Sequence, residues 1–483
     1  MSRYERHHAD PRAAAMAAIT SALAGQSYAA DRLRHLQRAM ELDARDAGLA
    51  RQIALGALRH VLTLDCVLGA VADYEPGRVR VELRAALLAG AYQIVYLDRI
   101  PEFAAVDESV RLARDAYGRG PGGMVNAILR NLGRAIDVRR GSWPTPENTP
   151  TDWERAVRRA VRVDWNGACL FGFDIFANPR EAGGVRYLAE AAGEKFERVQ
   201  SLVARFGFAK ASEAVWASQA TPPIVVQRNS LRCPGSEFRD AMLAIDGSAE
   251  FDDDAVPRCA FLSPESAVAS SELLTGGKAY IQDTTARAAA TLVAARRSER
   301  IADWCAAPGG KTLALAIDQH DAGEIVALDD SRERLLRVEE NVARLGLKGV
   351  HVQAHGQKPR GSRASADMSG FDAVLADVPC SNSGVIARRP EARLDRGPVK
   401  MESLRALQQG ILADAAAMVR GGGRLVYSTC SIDAEENEQI VSAFVRSNPG
   451  WIAEASELTL PCWAERKSGW RDGGFAVKLV RGK

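Results

Sequence analysis

The sequence predicts a multidomain chain: an all-α bundle in front, a small α+β module in the middle and a Rossmann-like α/β domain at the end. Three observations predict it. Residues 1–140 read as helix after helix, with apolar side chains recurring at helical spacing. Residues 185–285 mix short apolar strands with helices. From 286 to 483, short apolar strands alternate with helices, the pattern of a doubly wound sheet. At 483 residues the chain is too long for one core. The expected boundaries are 1–140, a linker over 141–184, 185–285 and 286–483.

In the front part, Asp10-Pro11 caps and opens a helix over 12–23. A second helical stretch, broken internally, covers 44–72. Leu83, Leu87, Leu88, Tyr92, Val95 and Tyr96 form one stripe of a helix over 79–97. The next runs from Pro101 to Tyr117; Gly118 to Gly123 reads as a breaker loop before the last, over 124–136. The prolines between Trp143 and Pro150 mark the linker, with a short helix over 153–163. In the module, helices are expected at 187–190, 196–206 and 235–245, and strands at 224–228 and 278–283. In the last part the expected strands are 300–304, 324–328, 371–376 and 423–429. The helices between and after them are 312–317, 331–344, 402–419 and 434–447, with a closing strand over 472–479.

The chemistry gathers at strand tips. The run Ile301-Ala-Asp-Trp-Cys305-Ala-Ala-Pro-Gly309-Gly310-Lys311-Thr312 passes from a strand through small residues into a helix. Such a turn lets the backbone approach a ligand closely and offers helix N–H groups. Asp329, at the tip of the next strand, stands where an α/β nucleoside site holds a ribose diol. As the bland alternative it caps the following helix, a task Asp330 can also perform. The strand over 371–376 leads into Asp377-Val-Pro-Cys380-Ser381, and the strand over 423–429 into Cys430-Ser431. The carboxyl ends of doubly wound strands share one crevice, so Asp329, Asp377, Cys380 and Cys430 are expected to converge.

The runs Cys305-Ala-Ala-Pro-Gly-Gly-Lys311-Thr312, Asp377-Val-Pro-Cys380-Ser381 and Ser428-Thr-Cys430-Ser431, followed by Glu435-Glu436-Asn437, resemble in order and spacing the signatures of the Sun-type RNA cytosine-C5 methyltransferases. The resemblance implies S-adenosylmethionine as cofactor. It implies Cys430 as the nucleophile that adds to C6 of cytosine and Cys380 as the group assisting release. Asp377 would bond the ring edge and line the cofactor site. Cys305, Ala306, Ala307, Pro308, Gly309, Gly310 and Lys311 would receive the methionine moiety, and Asp329 the ribose hydroxyls. Three places depart from the pattern. Ala354-His355-Gly356 stands where an Asp often lies near the adenine, so His355 either accepts from the adenine amino group or is a surface residue. Val378 replaces the usual Ala, and Arg393-Leu394 the usual Lys-Trp. The basic stretch from Gly384 to Lys400 is expected to position phosphate or substrate.

The front part resembles the NusB-like RNA-binding domain through Ala85 to Gln93, Pro101 to Ala113 and Val125 to Arg130. That resemblance implies an RNA-associated module. Arg130 and Arg134 on one helix face are either candidate phosphate contacts or part of a solvated basic face. The strand ending in Gln227-Arg228-Asn229-Ser230 resembles the Arg-x-Asn segment of the family's RRM-like subdomain, which helps to hold RNA. Asp252-Asp253-Asp254 reads as a solvated turn.

Composition narrows the class. The formal net charge of +2 does not by itself announce a nucleic-acid partner. The eight cysteines are scattered without a C-x-x-C pair or zinc spacing, which predicts free thiols, a reducing cytoplasmic compartment and no metal. No apolar run reaches membrane-spanning length, so no membrane association is expected. The expected activity is AdoMet-dependent methylation of an RNA cytosine, 16S rRNA being the expected substrate, by a monomer. Its rivals are a tRNA-directed enzyme and an RNA-binding ribosome-assembly factor with an inactive catalytic domain. Retention of Cys380, Cys430 and Asp377 argues against the second.

Overall fold

The protein is described by a computed structural model covering residues 3–6, 9–149, 151–355, 369–394 and 397–482. It divides into two compact units, 1–220 with 386–395, and 221–385 with 396–483.

The first unit is built on helices Pro11–Leu23, Ala29–Ala39, Ala44–Arg59, Val61–Val71, Val81–Tyr96, Glu102–Tyr117 and Arg119–Ala135. The Asp10 carboxylate accepts the N–H groups of Arg12 and Ala13 at 2.9 and 3.1 Å, and Pro11 needs no partner there. Alanines at 13–15, 17 and 18 let this helix pack closely, and the whole stretch from Ala13 to Ala18 is buried. Helix Val81–Tyr96 buries nearly every residue, including the predicted Leu83, Leu87 and Leu88. Arg130 and Arg134 lie exposed on the last of these helices, Arg130 within 3.6 Å of Asp107.

Four readings change in this unit. Helix Ala29–Ala39 stands where no element was expected. The glycines over 118–123 do not form a loop, because the helix begins at Arg119. A Cβ at Gly122 would meet the Cα of Arg114 at 3.2 Å, so glycine serves close helix packing there. The stretch 141–184 is not a bare linker, since strands Ile136–Ser142, Ala160–Arg162 and Gly167–Phe171 form an antiparallel sheet. Phe171, Phe176, Tyr187 and Ala191 join the helical core, which draws the helices over 185–217 into this unit and away from the α+β module.

The segment 386–395 also belongs to the first unit, which alters the expectation for the basic stretch. Arg393 is wholly buried; its guanidinium donates to the Gly193 carbonyl and, at 3.2 and 2.9 Å, to the Ser218 carbonyl and hydroxyl. It therefore braces the interior and is out of reach of phosphate. Burial lowers its pKa to about 10. Arg389 lies over the Tyr28 ring at 5.0 Å. Residues 395 and 396 of that stretch lie outside the described residues.

The second unit opens with four antiparallel strands, Ile224–Arg228, Glu250–Phe251, Cys259–Leu262 and Ala279–Ile281, and helix Gly235–Ile245. Asp252–Asp254 turn between two of those strands, and the Asp252 carboxylate accepts from Arg258 and Cys259. Asn229 is wholly buried, its amide donating to the Gly277 carbonyl at 2.9 Å, and Arg228 donates to the Cys233 carbonyl. Both side chains stabilise the turn, so the expected RNA-facing Arg-x-Asn segment is committed to the fold.

The remainder is a seven-stranded sheet: β1 (Arg300–Asp303), β2 (Glu324–Asp329), β3 (Val350–Ala354), β4 (Phe371–Asp377), β5 (Val419–Thr429), β6 (Trp451–Thr459) and β7 (Gly474–Arg481). Their order is β3-β2-β1-β4-β5-β7-β6, parallel except for the pairs that β7 makes. Helices α1 (Gly310–Asp318), α2 (Arg332–Leu345), α3 (Pro398–Met418) and α4 (Glu438–Ser447) cover it. Alternate strand residues feed two cores. Ile301, Ala327, Leu375 and Val426 meet Leu313, Leu335 and Val338, whereas Ala302, Val326, Val374 and Tyr427 meet Leu412, Met418 and Ile440. Burial on both faces explains why these strands read as continuous apolar runs. Strands β3 and β6 were not expected. Among the described residues no single helix is long and apolar enough to cross a membrane.

Candidate active site

Strands β1, β2, β4 and β5 end at the same edge, and each delivers a predicted residue there. At the tip of β1 the chain turns through Cys305–Gly309 into α1. Gly309 has a φ of 105°, a conformation that glycine adopts without penalty, and Val338 of α2 lies 3.3 Å from where its Cβ would stand. At the tip of β2, Asp329 is 2% exposed. Its Oδ2 accepts the Ala307 N–H at 3.2 Å, and its Oδ1 accepts the Ser331 N–H at 3.0 Å and the Arg334 guanidinium at 2.6 Å. The helix cap is Ser331, so Asp329 instead ties the glycine-rich loop to β2. Asp330 points to solvent. A carboxylate has about four acceptor positions, and three are used, which leaves one for a ribose hydroxyl.

Acidic groups surround this loop. Burial pushes the Cys305 thiol far up, and Asp377, Asp303, Asp329 and Asp330 push it the same way. Cys305 is therefore a neutral thiol in a negative potential. Such a potential suits a ligand that carries an ammonium and a sulfonium, and the residues present fit S-adenosylmethionine on that ground. The His355 ring packs edge-on to Trp304 at 4.2 Å, with Nε2 3.0 Å from the Trp304 carbonyl oxygen. Gly356, its neighbour in the departure from the family pattern, lies outside the described residues.

Asp303 accepts the Thr312 hydroxyl at 2.6 Å through Oδ2, while its buried Oδ1 has no partner. Burial raises its pKa from 3.8 to about 7. The folded chain thus keeps this proton where the unfolded chain releases it. The associated stability is fully present below 3.8 and is lost as pH rises through about 7. The span corresponds to on the order of 4 kcal/mol. Asp303→Asn is expected to gain stability over the parent as pH rises from 5 to 8, by urea denaturation; a difference independent of pH contradicts this.

At the tips of the adjacent parallel strands β4 and β5 the remaining residues meet. Asp377 accepts the Ser428 hydroxyl at 2.7 Å on Oδ1 and the Lys311 ammonium at 2.8 Å on Oδ2. Burial alone lowers the Lys311 pKa, but Asp377 outweighs it and the net shift is upward, so the ion pair is intact. The sulfurs of Cys380 and Cys430 are 3.0 Å apart. The hydrogen bond that the Cys380 thiol makes to the Cys430 sulfur, together with burial, pushes Cys380 well above its usual value. Lys311, Asp377 and Cys430 line a cleft of about 480 Å³, counted with its open mouth, into which Ser428 and Glu457 also face. Cys305–Gly310 and Asp329 do not line that cleft, and neither does Cys380.

The loops bearing the two thiols share a buried frame. Glu436, wholly buried, accepts the Ser381 N–H at 2.9 Å and its hydroxyl at 2.6 Å, and the Gln408 amide at 2.9 Å. Gln408 also donates to the Pro379 carbonyl. Asn437 accepts the Thr429 hydroxyl at 2.6 Å and donates to the Ser431 carbonyl at 2.9 Å. One residue thus anchors the Cys380 loop and its neighbour the Cys430 loop. Gln408 and Asn382 carried no sequence signal, since lone polar residues on a helix and a turn look like surface; Ser428 stood in the third motif without a role of its own. Among the described residues no cluster of three or more His, Cys, Asp or Glu could hold a metal ion.

Two family models match the chain. Residues 290–468 match the family model described as 16S rRNA methyltransferase RsmB/F, and residues 9–134 that of the NusB family. A ribosomal RNA small subunit methyltransferase B of Vibrio vulnificus is 30% identical over 86% of this chain and 87% of its own. The probable ribosomal RNA small subunit methyltransferase B of Bacillus subtilis is 27% identical over 92% and 91%. The crystal structure of PH0851 matches with a TM-score of 0.71 over 98% of this chain and 99% of that one; at 20% identity it speaks to the fold alone.

Proposed function

This chain belongs to the ribosomal RNA small subunit methyltransferase B family, and from that premise we propose that it methylates C5 of a cytosine in small-subunit ribosomal RNA through a covalent Cys430 adduct. The observation that carries the reading is the pair of sulfurs 3.0 Å apart at two strand tips, beside Asp377 and an open cleft.

C5 of cytosine is too weak a nucleophile to take a methyl group unaided. The Cys430 thiolate bonds to C6, and the electron pair moved onto the ring makes C5 enamine-like. Asp377, oriented by Ser428 and Lys311, accepts from the amino group on the ring edge, and the Lys311 ammonium paired with it offsets the negative charge that the addition puts on the ring. S-adenosylmethionine, when bound, supplies the methyl group on a sulfonium. Cys305–Lys311 and Asp329 are the residues that would hold it. Once C5 is methylated, its proton passes to a base. The C6–S bond then breaks, returning the pair to sulfur, and Cys380 is the group we assign to assist this release. The target base must first leave its stack.

The match of 9–134 to NusB supports an RNA-binding role for the helical front, with Arg130 and Arg134 exposed for phosphate. We read the four-stranded module as RRM-like and the enzyme as a cytoplasmic monomer. Bisulfite sequencing of rRNA and tRNA from cells with and without the gene tests the proposal. One 5-methylcytosine is expected to disappear from small-subunit rRNA. Loss from tRNA alone sinks the substrate assignment, and loss nowhere sinks the reaction.

A further inference from the structure

Asn382 is one of the few residues other than glycine with a positive φ, 60°. Asparagine tolerates that left-handed conformation better than most side chains, and glycine better still. The turn aims its carboxamide at both thiol-bearing loops. Cys430 donates its S–H to the Asn382 Oδ1 at 3.1 Å, and the Asn382 Nδ2 donates to the Cys380 carbonyl at 3.2 Å. The main chain closes the same arrangement, with the Gly384 N–H donating to the Cys430 carbonyl at 2.9 Å.

We propose that Asn382 is a further catalytic residue, whose carboxamide oxygen restrains the Cys430 thiol in a hydrogen-bonded resting form that must be released before the sulfur attacks. This rests on Cys430 being the attacking thiol. Other groups face that sulfur. Cys380 lies 3.0 Å away, and the Lys311–Asp377 pair borders the same cleft. Glu436 stands behind Cys380. Glu457, Asp283 and Asp472 line the cleft, but Asp283 accepts the Thr285 N–H and Asp472 the Trp470 indole N–H. With the one S–H of Cys430 given to Asn382, the contact between the two sulfurs has Cys380 as its donor. An S–H held by an acceptor must leave it before the sulfur can attack, so loss of the acceptor favours reaction.

The test is iodoacetamide labelling of the full chain at one neutral pH, with the rate at Cys430 followed by peptide mass spectrometry. Asn382→Gly keeps the backbone unstrained and removes the acceptor; labelling is expected to rise about three- to tenfold, the worth of one hydrogen bond. Asn382→Asp keeps the shape and adds negative charge; labelling is expected to slow. Labelling at Cys462 serves as the control and should not change. Equal Cys430 rates in all three chains overturn the proposal, as does slowing in the glycine variant. Whether Cys430 is the nucleophile is read separately, from the activity of Cys430→Ala.

Discussion

Alanine in place of Cys430 is expected to reduce methyl transfer by on the order of 10⁴-fold or more, because Cys430 is the one thiol among the described residues lining the cleft. Cys305 does not substitute for it, since burial, reinforced by the acidic groups around it, pushes that thiol far up. Transfer of labelled methyl to unmodified small-subunit rRNA under single-turnover conditions is the measurement. More than about a hundredth of parent activity would contradict the assignment. The companion result concerns release. With Cys380→Ala, the C6–S bond is expected to persist and an RNA–protein adduct to survive on denaturing gels. Adding Cys430→Ala to that variant should abolish the adduct. If Cys430→Ala alone forms adduct as readily, the two roles are reversed.

The second large effect falls on the frame behind the thiols. Glu436→Ala leaves the Ser381 N–H, the Ser381 hydroxyl and the Gln408 amide without their acceptor in a wholly buried place. The expected loss is about 3–5 kcal/mol, seen as a lower urea midpoint with an unchanged slope. Glu436→Gln keeps one acceptor oxygen and should recover roughly half of that loss. Activity adds a readout that stability alone does not move. At a temperature where both variants are folded, release of product is expected to slow more than adduct formation, because Ser381 adjoins Cys380. A destabilised variant with unchanged release kinetics would limit Glu436 to a structural role.

Much of this architecture was legible because its signals are local. The apolar runs before Asp329, Asp377 and Cys430 are continuous because their strands are buried on both faces, and they ended where expected to within a few residues. The Asp10 cap and the stripe of Val81–Tyr96 are local as well. The misses have non-local causes. Helix Ala29–Ala39 lacks a capping side chain of its own, since Tyr28 makes no such bond. Its first N–H is satisfied at 2.5 Å by Glu391, 362 residues later. Gly122 looked like a breaker because the neighbour it accommodates, Arg114, belongs to another helix. Arg393 and Asn229 looked like surface groups for phosphate and RNA, and both are wholly buried by partners distant in the chain.

The sequence by itself determined the helical front and the alternating strands and helices of the last part, and through its resemblance named candidate reacting groups, because periodicity and motifs are properties of neighbouring residues. The tertiary structure alone decided which of those groups touch. Lys311 turned toward Asp377, Asn382 toward Cys430, and the two sulfurs came to 3.0 Å. Those distances follow from the register of β4 against β5 and from the buried carboxyl of Glu436, sums of many contacts between residues about fifty positions apart.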